Sequence, residues 1–264
     1  MRRKRIETGE IWSFFFWLVL YLALNSLGET WSMRIGVSGS VTLAFDLLLS
    51  VGCFLWIRER GRLEHYGLCR ARTPARRLLW YLPLWIVMTG NLWLGVQAKL
   101  PLADTLCNLG KLLCVGFLEE LLFRGFLYRA VEPAGAGIAI AVSSLAFGLS
   151  HLINLFNGSG MDVFQTALQI VSAAAIGFAF AAVFYRSDSL LVPIVVHCVI
   201  NALSIFAKDV LFRTQALPLA IAAIQIALLV AYGIYVLKVG ERVESRVISD
   251  EPTRRAQNEG MAHG

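Results

Sequence analysis

Eight long apolar runs limit what this 264-residue chain can fold into more than any other feature. They cover approximately residues 11–27, 39–57, 78–97, 105–130, 136–156, 163–185, 190–207 and 217–239. Lipid offers the backbone no hydrogen-bond partners, so a chain crosses a bilayer as helices of about 20 apolar residues each. The runs predict an all-α, polytopic membrane protein with about eight transmembrane helices.

The composition agrees with this prediction. Hydrophobic residues make up 57% of the chain and charged residues only 16%, whereas soluble domains carry about 25% charged residues. This excludes a disordered chain, a collagen-like rod and an ordinary soluble enzyme. The net charge of +6 could suggest nucleic acid, but Lys and Arg form short clusters beside apolar runs, so we predict the lipid bilayer as partner and no nucleic acid. The five scattered cysteines are interpreted as apolar packing residues.

Basic residues favour one side of the membrane. Short cytoplasmic loops are enriched in Lys and Arg, and the richest segments here are the N-terminus, the 58–77 loop and the tail. Their basic residues are Arg2, Arg3, Lys4, Arg5, Arg58, Arg60, Arg62, Arg70, Arg72, Arg76, Arg77, Lys238, Arg242, Arg246, Arg254 and Arg255. We predict an integral, multi-pass protein with both termini cytoplasmic, a retained first span rather than a cleaved signal peptide, and a disordered tail over 241–264.

The fourth run is unusual because it contains the charged residues Lys111, Glu119, Glu120 and Arg124. These charges predict a broken or tilted helix. A charge in the hydrocarbon core costs about 2.5–3.5 kcal/mol, so it usually faces a partner or a wet cavity. Glu120 and Arg124 are one helical turn apart and can form an ion pair, which leaves Glu119 without a cation in its own helix. Glu119 is therefore the candidate general base. The alternative is a purely structural ion-pair network that pins helices together.

Two other runs each contain a histidine at membrane depth. Phe147 and His151 are four residues apart and share a helix face, as do His197 and Asn201. A lone intramembrane histidine is more often a packing or interhelix hydrogen-bonding residue. This chain has two such histidines, an asparagine and a carboxylate pair on neighbouring helices. Their presence together predicts that these side chains face one cavity.

Such a cavity suits hydrolysis of a peptide-like carbonyl. Glu119, helped by His151, would deprotonate a water molecule, and His197 and Asn201 would stabilise the oxyanion. The ion pair would hold the base in place. This mechanism requires no cofactor. Alternatively, His151, His197 and Glu119 would bind a catalytic Zn²⁺ in a metalloprotease-like site, although their spacing matches no recognised zinc fingerprint.

Three motifs in sequence give a family resemblance. Residues 119–124 read EELLFR, 147–151 read FGLSH and 197–201 read HCVIN. In this order the chain resembles the CAAX prenyl endopeptidase and bacteriocin-processing family (CPBP, or Abi) of intramembrane proteases. The resemblance implies a glutamic-type endopeptidase, with the roles just given, and a membrane-associated protein or peptide as substrate. Eukaryotic members remove the last three residues of prenylated CAAX proteins, whereas bacterial members differ in substrate, so the resemblance does not identify the substrate.

With this resemblance, the predicted organisation has four parts. Helices one to three occupy residues 1–104, a four-helix catalytic core 105–207, the last helix 208–240 and the tail 241–264.

Other assignments are less favoured or remain as alternatives. The HExxH motif of zinc site-2 proteases is absent, and Ser150 lacks the GxSG pattern of rhomboid proteases. An aspartyl protease would need two intramembrane aspartates, and only Asp46 qualifies. We interpret Asp46 as a structural hydrogen-bonding residue. A proton- or ion-coupled transporter would also use buried Glu, His and Asp. A proteolytically silent immunity or scaffold protein is the remaining alternative.

Overall fold

The computed structural model describes residues 8–155, 160–208 and 216–239, and over these ranges the chain is all-helical. Its α-helices are α1 (Thr8–Ile35), α2 (Ser40–Glu59), α3 (Leu82–Met88), α4 (Leu102–Glu120), α5 (Arg129–Val131), α6 (Ala136–Ser150), α7 (Val163–Ser187), α8 (Leu191–Ser204) and α9 (Ala216–Lys238). Five helical segments in this part of the chain are long and apolar enough to cross a membrane: α1, α2, α6 with its extension to Leu155, α7 and α9. The protein is therefore an integral membrane protein. The basic stretch 2–5 and the tail 241–264 lie outside the described residues.

The prediction of eight spans is not confirmed, because the third and seventh runs form shorter helices and the charged fourth run is not among the five candidate segments. In the third run a 3₁₀ helix, Ala75–Tyr81, has left-handed backbone at Leu79, Trp80 and Tyr81 with φ of 52°, 48° and 60°. This conformation is costly for residues with a β-carbon and interrupts the helix. The seven residues of α3 then rise only about 10 Å. The 14 residues of α8 rise about 21 Å, also short of a full crossing.

The fourth run is continuous rather than broken. The chain passes from α4 directly into a π-helix, Leu121–Tyr128, and then into α5. All eight residues of the π-helix are buried. Ser143 on α6 donates a hydrogen bond to the Phe123 carbonyl oxygen at 2.9 Å, which attaches the widened turn to the neighbouring helix. Single π turns inside helices often mark functional sites, and this one follows directly after the glutamate pair.

Helix α7 lies between two apolar clusters and has small residues on both faces. Ala173 and Ala181 belong to the cluster formed with α1, α2, the π-helix and α6. Ala175, Ala179 and Ala182 belong to the cluster formed with α3, α8 and α9. Small side chains let helices approach closely in a membrane. Helix α7 packs against α6 and α9 and also contacts α8 and the π-helix, while α4 packs against α8.

The loop between α2 and the 3₁₀ helix folds back onto the helix ends. Tyr66 is fully buried there, and its hydroxyl donates to Glu10 Oε2 at 2.7 Å. Its ring lies 4.7 Å from that of Phe126 in the π-helix. Burial, and secondarily the hydrogen bond to Glu10, raises the pKa of Tyr66. Tyr66 thus links the start of α1 to the end of the helix that contains the glutamate pair.

Candidate active site

Glu120 connects α4 to α8 through two contacts on one oxygen. Arg124 Nη1 donates to Glu120 Oε1 at 2.9 Å, which confirms the ion pair predicted from the four-residue spacing. His197 Nδ1 lies 2.8 Å from the same oxygen. Glu120 and Arg124 are completely buried. Since Glu120 Oε1 is an acceptor, His197 donates its Nδ1–H to it and presents Nε2 on the opposite side of the ring.

Glu119 faces that opposite side of the His197 ring. Its Oε2 lies 3.7 Å from His197 Nε2, and its side chain is 18% exposed. Its other oxygen, Oε1, accepts a hydrogen bond from the Tyr21 hydroxyl of α1 at 3.1 Å. His197 therefore lies between the two adjacent carboxylates, and the two oxygens of Glu119 have different partners.

His151 approaches the same region from the end of α6. It begins the 3₁₀ helix His151–Leu155, and its Nδ1 lies 3.0 Å from the Phe147 carbonyl oxygen. A carbonyl only accepts, so Nδ1 bears the proton and Nε2 is the acceptor of the neutral ring. The Phe147 ring packs edge-to-face against both His151 and His197, with centroids 5.2 and 5.6 Å apart. The two imidazoles thus lie around one phenyl ring, as expected for motifs that converge.

Aromatic rings surround the buried Arg124. Its guanidinium carbon lies 4.4 Å from the Phe147 ring centroid and 5.7 Å from that of Phe180. Cation–π attraction of this kind stabilises a charge that water does not reach. Nε and Nη2 of Arg124 make no hydrogen bond to the described residues. The charge is therefore balanced mainly by Glu120 and by two aromatic faces.

Asn201 lies one turn beyond His197 on α8 and is half-buried. Its side chain makes no hydrogen bond among the described residues, so the structure does not show it in contact with the glutamates. Asn91, in the 3₁₀ helix Gly90–Leu92, donates to the Ile200 carbonyl oxygen at 2.7 Å and attaches this turn of α8 to its neighbour. Asn201 is four residues from His197 and therefore on the same helix face, and its role stays a prediction.

The donor set does not support the metalloprotease-like alternative. Among the described residues, no group of three or more His, Cys, Asp or Glu side chains could hold a metal ion. The proposed zinc ligands His151, His197 and Glu119 are all described and do not form such a group. The Nδ1 atoms of both imidazoles are already engaged with protein oxygens. All five cysteines are free.

Sequence reasoning missed two residues of this region, Tyr21 and Gly177. Tyr21 is 98 positions away from Glu119 in the chain, and no spacing relates the two. Gly177 lies on α7, where a β-carbon would be 2.8 Å from Arg124 Nη2, 3.2 Å from Phe147 Cδ1 and 3.3 Å from Ser144 Cα. The sequence feature that pointed to Gly177 was its position among the small residues of α7, which indicates close packing between helices.

Replacing Gly177 by alanine is expected to lower the free energy of unfolding by about 1–3 kcal/mol, the usual cost of overpacking. The added methyl would displace Arg124 and Phe147 together. Gly52 is the matched control, because it is also helical but has no atom within 4 Å of an added β-carbon. Gly52→Ala should be neutral or stabilising by up to about 1 kcal/mol. Thermal unfolding in detergent compares the two, and equal stability would contradict the packing described.

A protein-family model matches part of the chain. Residues 101–203 match the family model described as type II CAAX prenyl endopeptidase Rce1-like. The matched segment contains all three motifs, from α4 to α8, and confirms the resemblance proposed from the sequence. No curated protein and no solved structure matches the chain.

Proposed function

We propose, from the premise that residues 101–203 form an Rce1-like CAAX prenyl endopeptidase domain, that this protein is a glutamic-type intramembrane endopeptidase. It hydrolyses a peptide bond in a membrane-associated protein or peptide by means of activated water. The main support is the position of Glu119, whose Oε2 faces His197 Nε2 at 3.7 Å while its other oxygen is held by Tyr21. One carboxylate oxygen is thus fixed and the other is directed towards the imidazole.

Glu119 acts as the general base in this proposal. Oε2 takes a proton from water, the resulting hydroxide forms a bond to the carbonyl carbon, and the carbonyl π electrons move to its oxygen. When the tetrahedral intermediate collapses, the C–N bond breaks and Glu119 returns the proton to the leaving amine. His151 assists, because its Nε2 is the acceptor in the neutral ring and can orient the water. No covalent enzyme intermediate is required.

His197 and Asn201 stabilise the oxyanion. His197 donates Nδ1–H to Glu120, and in its imidazolium form it also has an Nε2–H to donate. Asn201 adds its amide N–H from the next turn of the same helix. Donors positioned in advance where charge develops make a large contribution in a site with little water. Glu120 and Arg124 orient His197 rather than touching the substrate.

Asn201→Ala is expected to lower kcat by about 10²–10³, the usual loss for one oxyanion donor. Asn108→Ala is the matched control, because Asn108 donates to Ser38 and to the Asp104 carbonyl at the start of α4, and it should leave kcat unchanged. Purified protein in detergent is assayed by mass spectrometry of the released peptide. A change of less than threefold for Asn201→Ala would assign that residue to packing.

The proposed chemistry requires no cofactor, and a zinc requirement would contradict it. The metal content of the purified protein is measured alongside turnover. Full activity in metal-free protein is expected. Activity that falls with chelation and returns only with zinc would favour the metal-dependent alternative.

The decisive test uses two probes, a farnesylated peptide that ends in a CAAX sequence and an unprenylated copy. Release of a C-terminal tripeptide from the farnesylated probe supports the proposal, and equal cleavage of both means that the prenyl group is not recognised. If neither is cut, membrane-associated peptides released by wild-type and Glu119→Ala cells are compared. No difference between them would overturn the proposal. Glu119-dependent solute accumulation in proteoliposomes would instead support the transporter alternative.

A further inference from the structure

Tyr21 brings a residue from outside the family-matched segment into the active site. It lies in the middle of α1, it is only 9% exposed, and its hydroxyl donates to Glu119 Oε1 at 3.1 Å. Among the described residues, Tyr21 is the one whose side chain donates a hydrogen bond to the Glu119 carboxylate. Helix α1 is apolar and long enough to span a membrane, so a tyrosine hydroxyl that points inward at this depth needs an acceptor.

Two further polar residues connect α1 to α2 beside Tyr21. Asn25, one turn later on α1, donates to the Tyr21 carbonyl oxygen at 3.1 Å and to Asp46 Oδ1 at 2.7 Å. Asp46 is completely buried in α2. The isolated intramembrane aspartate therefore has a hydrogen-bond donor, Asn25, whose amide also contacts the main chain of Tyr21, the residue whose hydroxyl reaches Glu119. Helices α1 and α2 are thereby connected to α4 at the level of the glutamate.

We propose that Tyr21 is a positioning residue that fixes the rotation of the Glu119 carboxylate for catalysis. A hydrogen bond to Oε1 restricts the terminal torsion of the side chain, which is otherwise broad. Oε2 is then directed towards His197 Nε2, where the proposed function places the reacting water. The inference rests on that proposed function. It also gives the first helices, which lie outside residues 101–203, a part in the reaction.

Kinetics of Tyr21→Phe test this role, because the variant loses the hydroxyl and keeps the ring. We expect kcat to fall about tenfold, on the scale of one charge-assisted hydrogen bond, with KM for the farnesylated probe changed less than twofold. The matched control is Tyr232→Phe in α9, where another buried tyrosine loses a hydroxyl that donates to the Leu78 carbonyl oxygen at 2.9 Å. That control should keep kcat within twofold of wild type.

Other kinetic results would overturn the inference. These are an unchanged kcat in Tyr21→Phe, a loss that appears in KM alone, or an equal loss of kcat in Tyr232→Phe. The last result would show that loss of any buried hydroxyl acts through stability. Melting temperatures of both variants in detergent are measured to compare their folding.

A stability cycle separates failure of this inference from failure of the proposed function. Melting temperatures are compared for wild type, Tyr21→Phe, Glu119→Ala and the double variant. If the contact is real, Tyr21→Phe lowers the melting temperature less in the Glu119→Ala background than in wild type. Additive losses would overturn the inference whatever the activity. A non-additive cycle, combined with no cleavage of either probe and no difference between the peptides released by wild-type and Glu119→Ala cells, would preserve the contact but overturn the proposed function, and the positioning role with it.

Discussion

Glu119→Gln is expected to lower turnover of the farnesylated probe by about 10³ or more, near the upper range for loss of a general base. Glutamine has nearly the same shape, and its carbonyl oxygen can still accept from Tyr21. It cannot take a proton from water at the position of Oε2. The substitution therefore removes the proposed chemistry while preserving the packing. Turnover is measured on purified protein whose elution in size-exclusion chromatography matches that of the wild type.

Glu29→Gln is the matched control for Glu119→Gln. Glu29 is also a glutamate of a membrane helix, and it pairs with Lys111 at 2.8 Å. Lys111 lies on the same helix as Glu119, about two turns away. Its replacement should leave turnover within twofold of wild type. Ordinary turnover by the Glu119→Gln protein would contradict the mechanism. A large loss in Glu29→Gln would mean that any missing carboxylate disturbs the fold.

Much of the site followed from spacing within single helices. The Glu120–Arg124 pair was predictable because residues four apart meet on one helix face. The two histidine motifs were predictable as candidate site residues, because polar side chains at membrane depth are costly and usually face a partner or a water-filled cavity. The identity of the contacts between helices was not predictable. The position of His197 between the two glutamates did not follow from the sequence, and the roles assigned to His151 and His197 stay predictions.

The departures from the predicted spans have local physical causes. The third run is apolar enough to be predicted as a span, but left-handed backbone at Leu79, Trp80 and Tyr81 divides it, and hydropathy does not detect backbone conformation. The π-helix after Glu120 is equally invisible to a pattern that assumes 3.6 residues per turn. Tyr21 was missed because a contact across 98 residues depends on helix packing, which a single sequence does not encode as a spacing.

Arg124→Met is expected to lower the free energy of unfolding by about 3–5 kcal/mol, because it leaves the fully buried Glu120 carboxylate without its cation. Methionine keeps most of the length of arginine and its packing against Phe147. The matched control is Arg72→Met. Arg72 is 39% exposed and pairs with the 78% exposed Glu64 at 3.6 Å and with Asp188 at 3.2 Å. Because Asp188 keeps its second partner, Arg129, the loss of Arg72 should cost about 1 kcal/mol or less. Unfolding in detergent gives both values, and equal losses would contradict the burial of the pair.

The double variant Glu120→Met/Arg124→Met separates stability from catalysis. Replacing both members of a buried ion pair by apolar residues is often neutral in stability, so much of the single variant's loss should return. Activity should not return, because His197 Nδ1 loses the carboxylate that orients the ring. We therefore expect a stable protein whose turnover is at least about tenfold below wild type, consistent with loss of a charge-assisted hydrogen bond. Wild-type turnover in this double variant would show that the pair only pins helices, which is the structural alternative for these residues.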